Sequence, residues 1–242
     1  MEKEKLEDIY GETKGTVIVG DKRFFFKRND AYVELLAEQI ADLFKVKHAH
    51  YETVTVNGDS YYLSKDLRYD GAFATAQDLG ITCSNVKDIE DFVCMYFPKH
   101  SDHLIEQLMR MFFMDILVLN IDRSNDNWGF LITPNNVDVY ALDNDLSFIH
   151  EMSVMTALTN NDTCNSFLEV CNILETFPDE YVKMFIEMYE LLDSQKLEEL
   201  IKGIESKIGK ELPHKNNYLN RFCILREKIN GLIEEKKHSL MV

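Results

Sequence analysis

The chain has 242 residues, 45% of them apolar, and a formal net charge of −16 from 26 Lys and Arg against 42 Asp and Glu. That length and apolar content suit one large domain or two small lobes around a true core, and exclude wholesale disorder. The acidity argues against a nucleic-acid backbone as the main ligand, since such sites need basic patches. It leaves open docking to a basic protein, and any anionic ligand would require its own local cations.

In chain order, Gly11-Glu12-Thr13-Lys14-Gly15 reads as a flexible loop. Residues 16–19 and 23–27 are β-rich and joined by Gly20-Asp21-Lys22, which predicts a hairpin. Residues 31–46 have helical spacing, with Val33, Leu36, Ala37, Ile40, Ala41 and Phe44 on one face and Asn29 or Asp30 as cap. Residues 51–56 and 60–63 flank Asn57-Gly58, a strong two-residue hairpin turn. The remainder is expected to be largely helical, over 89–97, 103–119, 165–176, 178–192, 194–208 and 216–235. Gly209 is a C-terminal stop with Pro213 beyond it. Two strand-like runs, 128–132 and 137–142, interrupt the helices. Met184, Phe185, Met188 and Tyr189 fall on an apolar helix face and are read as core. The pattern predicts an α+β fold with a small β-rich N-lobe (1–67) and a larger helical C-lobe (68–242), joined near 65–71.

The five cysteines, Cys83, Cys94, Cys164, Cys171 and Cys223, contain no CxxC pair and read as reduced thiols of a cytoplasmic protein. The first eight residues are charged and lack an apolar signal region. The longest apolar stretch, 111–119, is broken by Asp115 and is too short to span a bilayer. Neither a membrane nor direct nucleic-acid contact is therefore expected.

One stretch carries a definite chemistry: Asp122-Arg123-Ser124-Asn125-Asp126-Asn127-Trp128-Gly129, followed by Asp143-Asn144-Asp145. It holds an acid with an amide five residues on, in a loop after an apolar helix end, then a second acid at the end of a strand-like run. Phosphoryl transfer needs this set: a carboxylate to orient the attacking hydroxyl, an amide oxygen on one metal, and a carboxylate between metal and phosphates. An Asp and an Asn in a polar turn are usually turn formers, but the flanking helix and strands favour the catalytic layout. An EF-hand fails on two positions in each segment, with Asn127 and Thr133 in the first and Phe148 and Val154 in the second, where Gly and Glu are required. A two-metal nuclease is disfavoured by the acidic surface. The seven histidines form no ligand set with the cysteines, and no GxSxG elbow occurs.

Lys27 ends Phe24-Phe25-Phe26-Lys27 and is either an exposed strand-end lysine or the lysine that neutralises nucleotide phosphates. Glu34 and Glu38, one turn apart on the next helix, are both candidates to hold it, and the one that does not is expected to be a solvated charge. Residues 11–15 match neither the Walker A pattern nor GxGxxG. Ser64 and Lys65 end a strand at the lobe junction, where backbone groups could meet an adenine edge.

Taken together these motifs resemble the HipA family of bacterial serine/threonine kinases, distant relatives of the phosphatidylinositol kinases. Gly11, Thr13, Lys14 and Gly15 loosely resemble the family's phosphate loop, and Phe26-Lys27 its nucleotide lysine. Glu34 is similar to that lysine's partner. Asp122 and Asn127 resemble the catalytic Asp and the metal-binding Asn, and Asp143 the metal-binding Asp. Ser124 departs from the family, which often has His there, and a compact form without the extra N-terminal subdomain of the full toxin is expected. The resemblance implies a two-lobed kinase fold, ATP and Mg²⁺ as cofactors, a protein substrate, an antitoxin-like partner and a bacterial cytoplasmic location. By analogy Thr13 and Thr16 are candidate autophosphorylation sites, the alternative being ordinary loop and strand threonines. The rival readings are a nucleotide-binding pseudokinase acting as an interaction module, and a small-molecule kinase on the same fold.

Overall fold

The computed structural model describes residues 10–28, 32–81, 86–120, 123–144, 147 and 170–239. β1 (Lys14–Val19) and β2 (Lys22–Arg28) form the first hairpin, and β3 (Tyr51–Val56) and β4 (Asp59–Lys65) the second. Asn57 and Gly58 both adopt positive φ, 50° and 90°, the pair of left-handed conformations that matches the twist of a two-residue hairpin. The two hairpins join into one antiparallel sheet of order β1-β2-β4-β3, with Phe25 opposite Ser64 and Lys27 opposite Tyr62. Strand alternation divides its side chains. Val17, Phe26, Tyr61 and Leu63 close a small apolar core, while Lys27 turns to the other face.

α1 (Tyr32–Phe44) buries the expected stripe of Val33, Leu36, Ala37, Ile40, Ala41 and Phe44. It packs against three helices of the rest of the chain, α3 (Ser101–Leu117), α5 (Asp179–Leu191) and α6 (Ser194–Ile208). The main core is therefore continuous from α1 through Phe112, Phe113 and Phe185 to Ile229. Burial on several sides explains why Glu34 and Glu38, off the apolar stripe, are also enclosed. Asn29 and Asp30, the expected caps, lie outside the described residues.

Past the junction the chain is not purely helical. A 3₁₀ turn, Leu67–Tyr69, is capped by the Asp66 side chain. β5 (Ala72–Thr75) then pairs antiparallel with β6 (Trp128–Ile132), which pairs with β7 (Val137–Ala141). β5 has no counterpart among the strands expected from sequence, because the four residues Ala-Phe-Ala-Thr carry no usable alternation. Its pairing depends on a close approach at Gly129, where a Cβ would stand 2.3 Å from the Ala74 carbonyl oxygen.

α2 (Val86–Tyr96) and α3 follow, and then α4 (Val170–Thr176), α5, α6 and α7 (Lys215–Ser239). Gly209 ends α6 at φ 72°, as its position predicts. Phe185, Met188 and Tyr189 are buried, and Met184 packs against the same core. α3 fixes β7 through Gln107, which accepts from the Val139 N–H at 2.7 Å and donates to Asp138 at 3.1 Å. Among the described residues no helix is long and apolar enough to cross a membrane.

Candidate active site

β2 delivers Lys27 and α1 delivers Glu34 to one point. Lys27 Nζ lies 2.6 Å from Glu34 Oε1 and 2.5 Å from Asp143 Oδ1. Glu34 is fully buried and also accepts from the Tyr51 hydroxyl at 3.2 Å and the Asn144 backbone N–H at 2.9 Å. A buried carboxylate with this many donors is held in one orientation. Burial works against the Lys27 ammonium, but Glu34 and Asp143 outweigh it and raise its pKa above the ordinary lysine value. Burial pushes Glu34 up, against the pull of Lys27.

The ambiguity between Glu34 and Glu38 is thus resolved by geometry. Glu38 does not become a solvated charge, as expected for the glutamate left over. It is buried and lies against the His50 ring, because the segment leading into β3 passes over that side of α1.

Asn127 and Asp143 reach the same cleft by different routes. Asn127 immediately precedes β6, and Asp143 lies two residues past β7. The Leu142 N–H donates to the Asn127 carbonyl at 2.8 Å, which closes the two loops on each other. Asp143 has φ 40°, a left-handed conformation that non-glycine residues adopt rarely and that surrounding contacts must hold. Asp122 lies outside the described residues, so its role rests on the sequence alone.

A cleft of about 680 Å³ runs between the four-stranded sheet, the loop before β6 and the loop after β7. Its lining includes Lys14, Gly15, Lys27, Ser64, Lys65, Asn127 and Asp143. Lys14 and Gly15 are already paired in β1, opposite Lys27 and Phe26. Gly11 and Thr13 stand outside the lining. The Gly11 N–H donates to the Tyr61 hydroxyl at 3.1 Å, and the Thr13 carbonyl accepts from the Arg28 N–H at 2.8 Å. Phe25, Leu67, Phe73 and Leu142 supply apolar surface to the cleft, the mixture typical of a site for a ligand with a flat ring and a charged tail.

Two features of the site had no signal in the sequence. The first is Asp66, at the junction, which accepts from Arg23 at 2.9 Å and from Arg68 at 2.9 Å. Burial alone would raise its carboxyl, but the hydrogen bonds from Arg68 and Arg23 hold it down at about 2. The second is Arg123, which is fully buried with Asp115. Asp115 reads in sequence only as a break in an apolar run, and Arg123 as one more polar loop residue.

Asn127 and Asp143 offer hard oxygen donors of the type magnesium takes, and among the described residues the cleft lining holds no histidine or cysteine. Among the described residues no group of three or more His, Cys, Asp or Glu could hold a metal ion alone.

An antiparallel sheet above a helical lobe, with a strand lysine bridging a helix glutamate and a loop aspartate at the cleft, is a kinase-like fold. The solved structures bear this out, and the fold is HipA-like. The chain resembles the Helicobacter pylori proinflammatory kinase CtkA, with a TM-score of 0.62, 16% identity, and 95% of each chain covered. It also resembles HipA of Shewanella oneidensis MR-1, solved with HipB and operator DNA, with a TM-score of 0.59 and 12% identity. That match covers 90% of this chain and 60% of HipA. No protein-family model matches the chain, and no curated protein matches it.

Proposed function

We propose that this protein is an ATP- and Mg²⁺-dependent phosphotransferase of the serine/threonine protein kinase type. The observation that carries the reading is the contact of Lys27 Nζ with both Glu34 and Asp143 at the wall of a cleft that also holds Asn127. Lys27, kept cationic by its two carboxylates, binds the nucleotide phosphates, and Glu34 holds its direction. Lys14 and Gly15 border the phosphate end at the start of β1, with Gly11 and Thr13 behind them in the segment that leads into the strand. Ser64 and Lys65 border the base at the junction. Asn127 and Asp143 would hold magnesium, which when bound neutralises charge on the transferring phosphoryl group. Asp122 orients the acceptor hydroxyl for in-line attack, a role that typically contributes about 10²- to 10⁴-fold.

A protein hydroxyl is the proposed acceptor, in keeping with the HipA resemblance and with an acidic chain that would attract basic protein segments. HipA of Shewanella oneidensis was solved with HipB and DNA, and an antitoxin-like partner is proposed here on that likeness. With a net charge of −16, DNA contact would fall to such a partner and not to this chain. A reducing, cytoplasmic setting fits the exposed free thiols of Cys94 and Cys223.

The test is transfer from γ-labelled ATP with magnesium by wild-type, Asp143→Ala and Asp122→Ala proteins, followed by intact-mass analysis. Label or an added phosphate on wild type alone supports the reading. Nucleotide binding without transfer to any protein acceptor would favour the pseudokinase, and no nucleotide binding would overturn the assignment.

A further inference from the structure

Arg123 sits where the two metal-side loops meet, and all five of its N–H groups are used. Nε and Nη2 form a two-pronged bond to Asp115, at 3.0 and 2.8 Å. Nη1 donates to the carbonyl oxygens of Asn127 at 2.6 Å and Leu142 at 2.5 Å. Nη2 also donates to the Asn144 side-chain oxygen. Asp115 in turn accepts from the Asn120 side chain at 2.9 Å, on the same oxygen that Nη2 bonds.

The bonding pattern is selective. One guanidinium grips the backbone of Asn127 and both neighbours of Asp143. Asp143 is the residue with φ 40°, so its left-handed conformation is clamped from both sides. A planar fork with five donors can do this, whereas a lysine ammonium cannot. Buried ion pairs contribute little net stability compared with apolar replacements, so a buried arginine serving three loop positions is better understood by what it aligns.

We propose that Arg123, anchored by Asp115, is the positioning residue that sets the spacing of the Asn127 and Asp143 oxygens for magnesium. Arg123 is fully buried and acts through the two loops. The inference rests on the reading of Asn127 and Asp143 as magnesium ligands.

The experiment measures ATP affinity in EDTA and in excess magnesium for wild type, Arg123→Lys and Asn144→Ala. The same proteins are melted while the fluorescence of Trp128, the single tryptophan and fully buried, is followed. Wild type should bind ATP more tightly with magnesium. Outer contacts of a metal site typically change metal affinity by about 10- to 100-fold, so both variants should lose most of that gain. Their ATP affinity in EDTA should stay within about twofold of wild type, since Lys27 and Glu34 are untouched. A purely structural arginine would lower the melting temperature and leave the magnesium gain intact, and that result overturns the proposal. If Arg123→Lys fails to fold, Asn144→Ala, which removes only one of the five bonds, decides alone. A wild-type protein with no magnesium gain would sink the metal reading and this inference together. A gain kept by folded variants would sink the positioning role only.

Discussion

The Asn144 backbone N–H donates to Glu34 Oε2 at 2.9 Å, across 110 residues of sequence. This bond ties the helix beside the nucleotide lysine to the loop that carries Asp143. Both ends of the Lys27 bridge are therefore set by one buried carboxylate.

Glu34→Gln should expose that dependence. The change keeps the shape but removes the charge that Lys27, Tyr51 and Asn144 share. Unfolding free energy should fall by about 1–3 kcal/mol. Phosphate transfer should drop by at least about tenfold, the equivalent of 1.4 kcal/mol at the transition state. Glu38→Gln, which alters the contact with His50, should leave transfer close to wild type. Equal losses in the two variants would remove Glu34 from its special role.

Lys27→Met leaves Glu34 and Asp143 facing a site without its cation. The Glu34 carboxyl should then titrate higher than in wild type, since burial and the nearby Asp143 charge favour its neutral form and the opposing pull of Lys27 is gone. A group whose folded pKa is raised stabilises fully below its unfolded value, which for Glu34 is 4.5, and loses that contribution as pH rises through the folded value. The stability gap between Lys27→Met and wild type should thus be smaller at pH 5 than at pH 7.5 in urea unfolding. A gap independent of pH would contradict the bridge.

Asp66 gives the opposite sign. Its folded pKa of about 2 lies below the ordinary 3.8, so its contribution is present above about pH 4 and is lost as pH falls towards 2. With Arg23 and Arg68 partly in solvent, the contribution should be about 1–2 kcal/mol. Asp66→Asn should flatten the acid limb of the unfolding curve by that amount. The wild-type profile retained in full would assign the acid sensitivity to other groups.

Gly129→Ala should destabilise the sheet that carries Asn127. The new Cβ would meet the Ala74 carbonyl at 2.3 Å and Thr75 Cα at 2.8 Å, both backbone atoms that cannot swing aside. A loss of about 1–3 kcal/mol or more is expected, read as a lower melting temperature by far-ultraviolet circular dichroism. An unchanged melting temperature would mean that β5 is not held against β6 as described.

Much of the fold is legible locally. The Asn57-Gly58 turn, the α1 stripe and the Gly209 stop each follow from a few neighbouring residues, and each is found where the pattern predicts it. The Lys27, Asn127 and Asp143 segments were identifiable as chemistry because their spacing is set within single loops and strands, and the cleft gathers all three. β5 was not legible, because its four residues are ordered by a partner strand more than fifty positions away. The burial of Glu38 was missed for a related reason, since amphipathic spacing ranks one face and says nothing of a second layer that folds over the other.

What the sequence determined by itself was the set of parts: two hairpins, an amphipathic helix, and acid and amide groups at loop ends, all governed by interactions a few residues long. What only the tertiary structure decided was pairing. Glu34 over Glu38, Arg123 with Asp115 and Asp66 with Arg23 each depend on the direction of a side chain brought to a common point by packing. Local propensity carries no information about such long-range directions, because they are set by how the sheet, α1 and α3 enclose one continuous core.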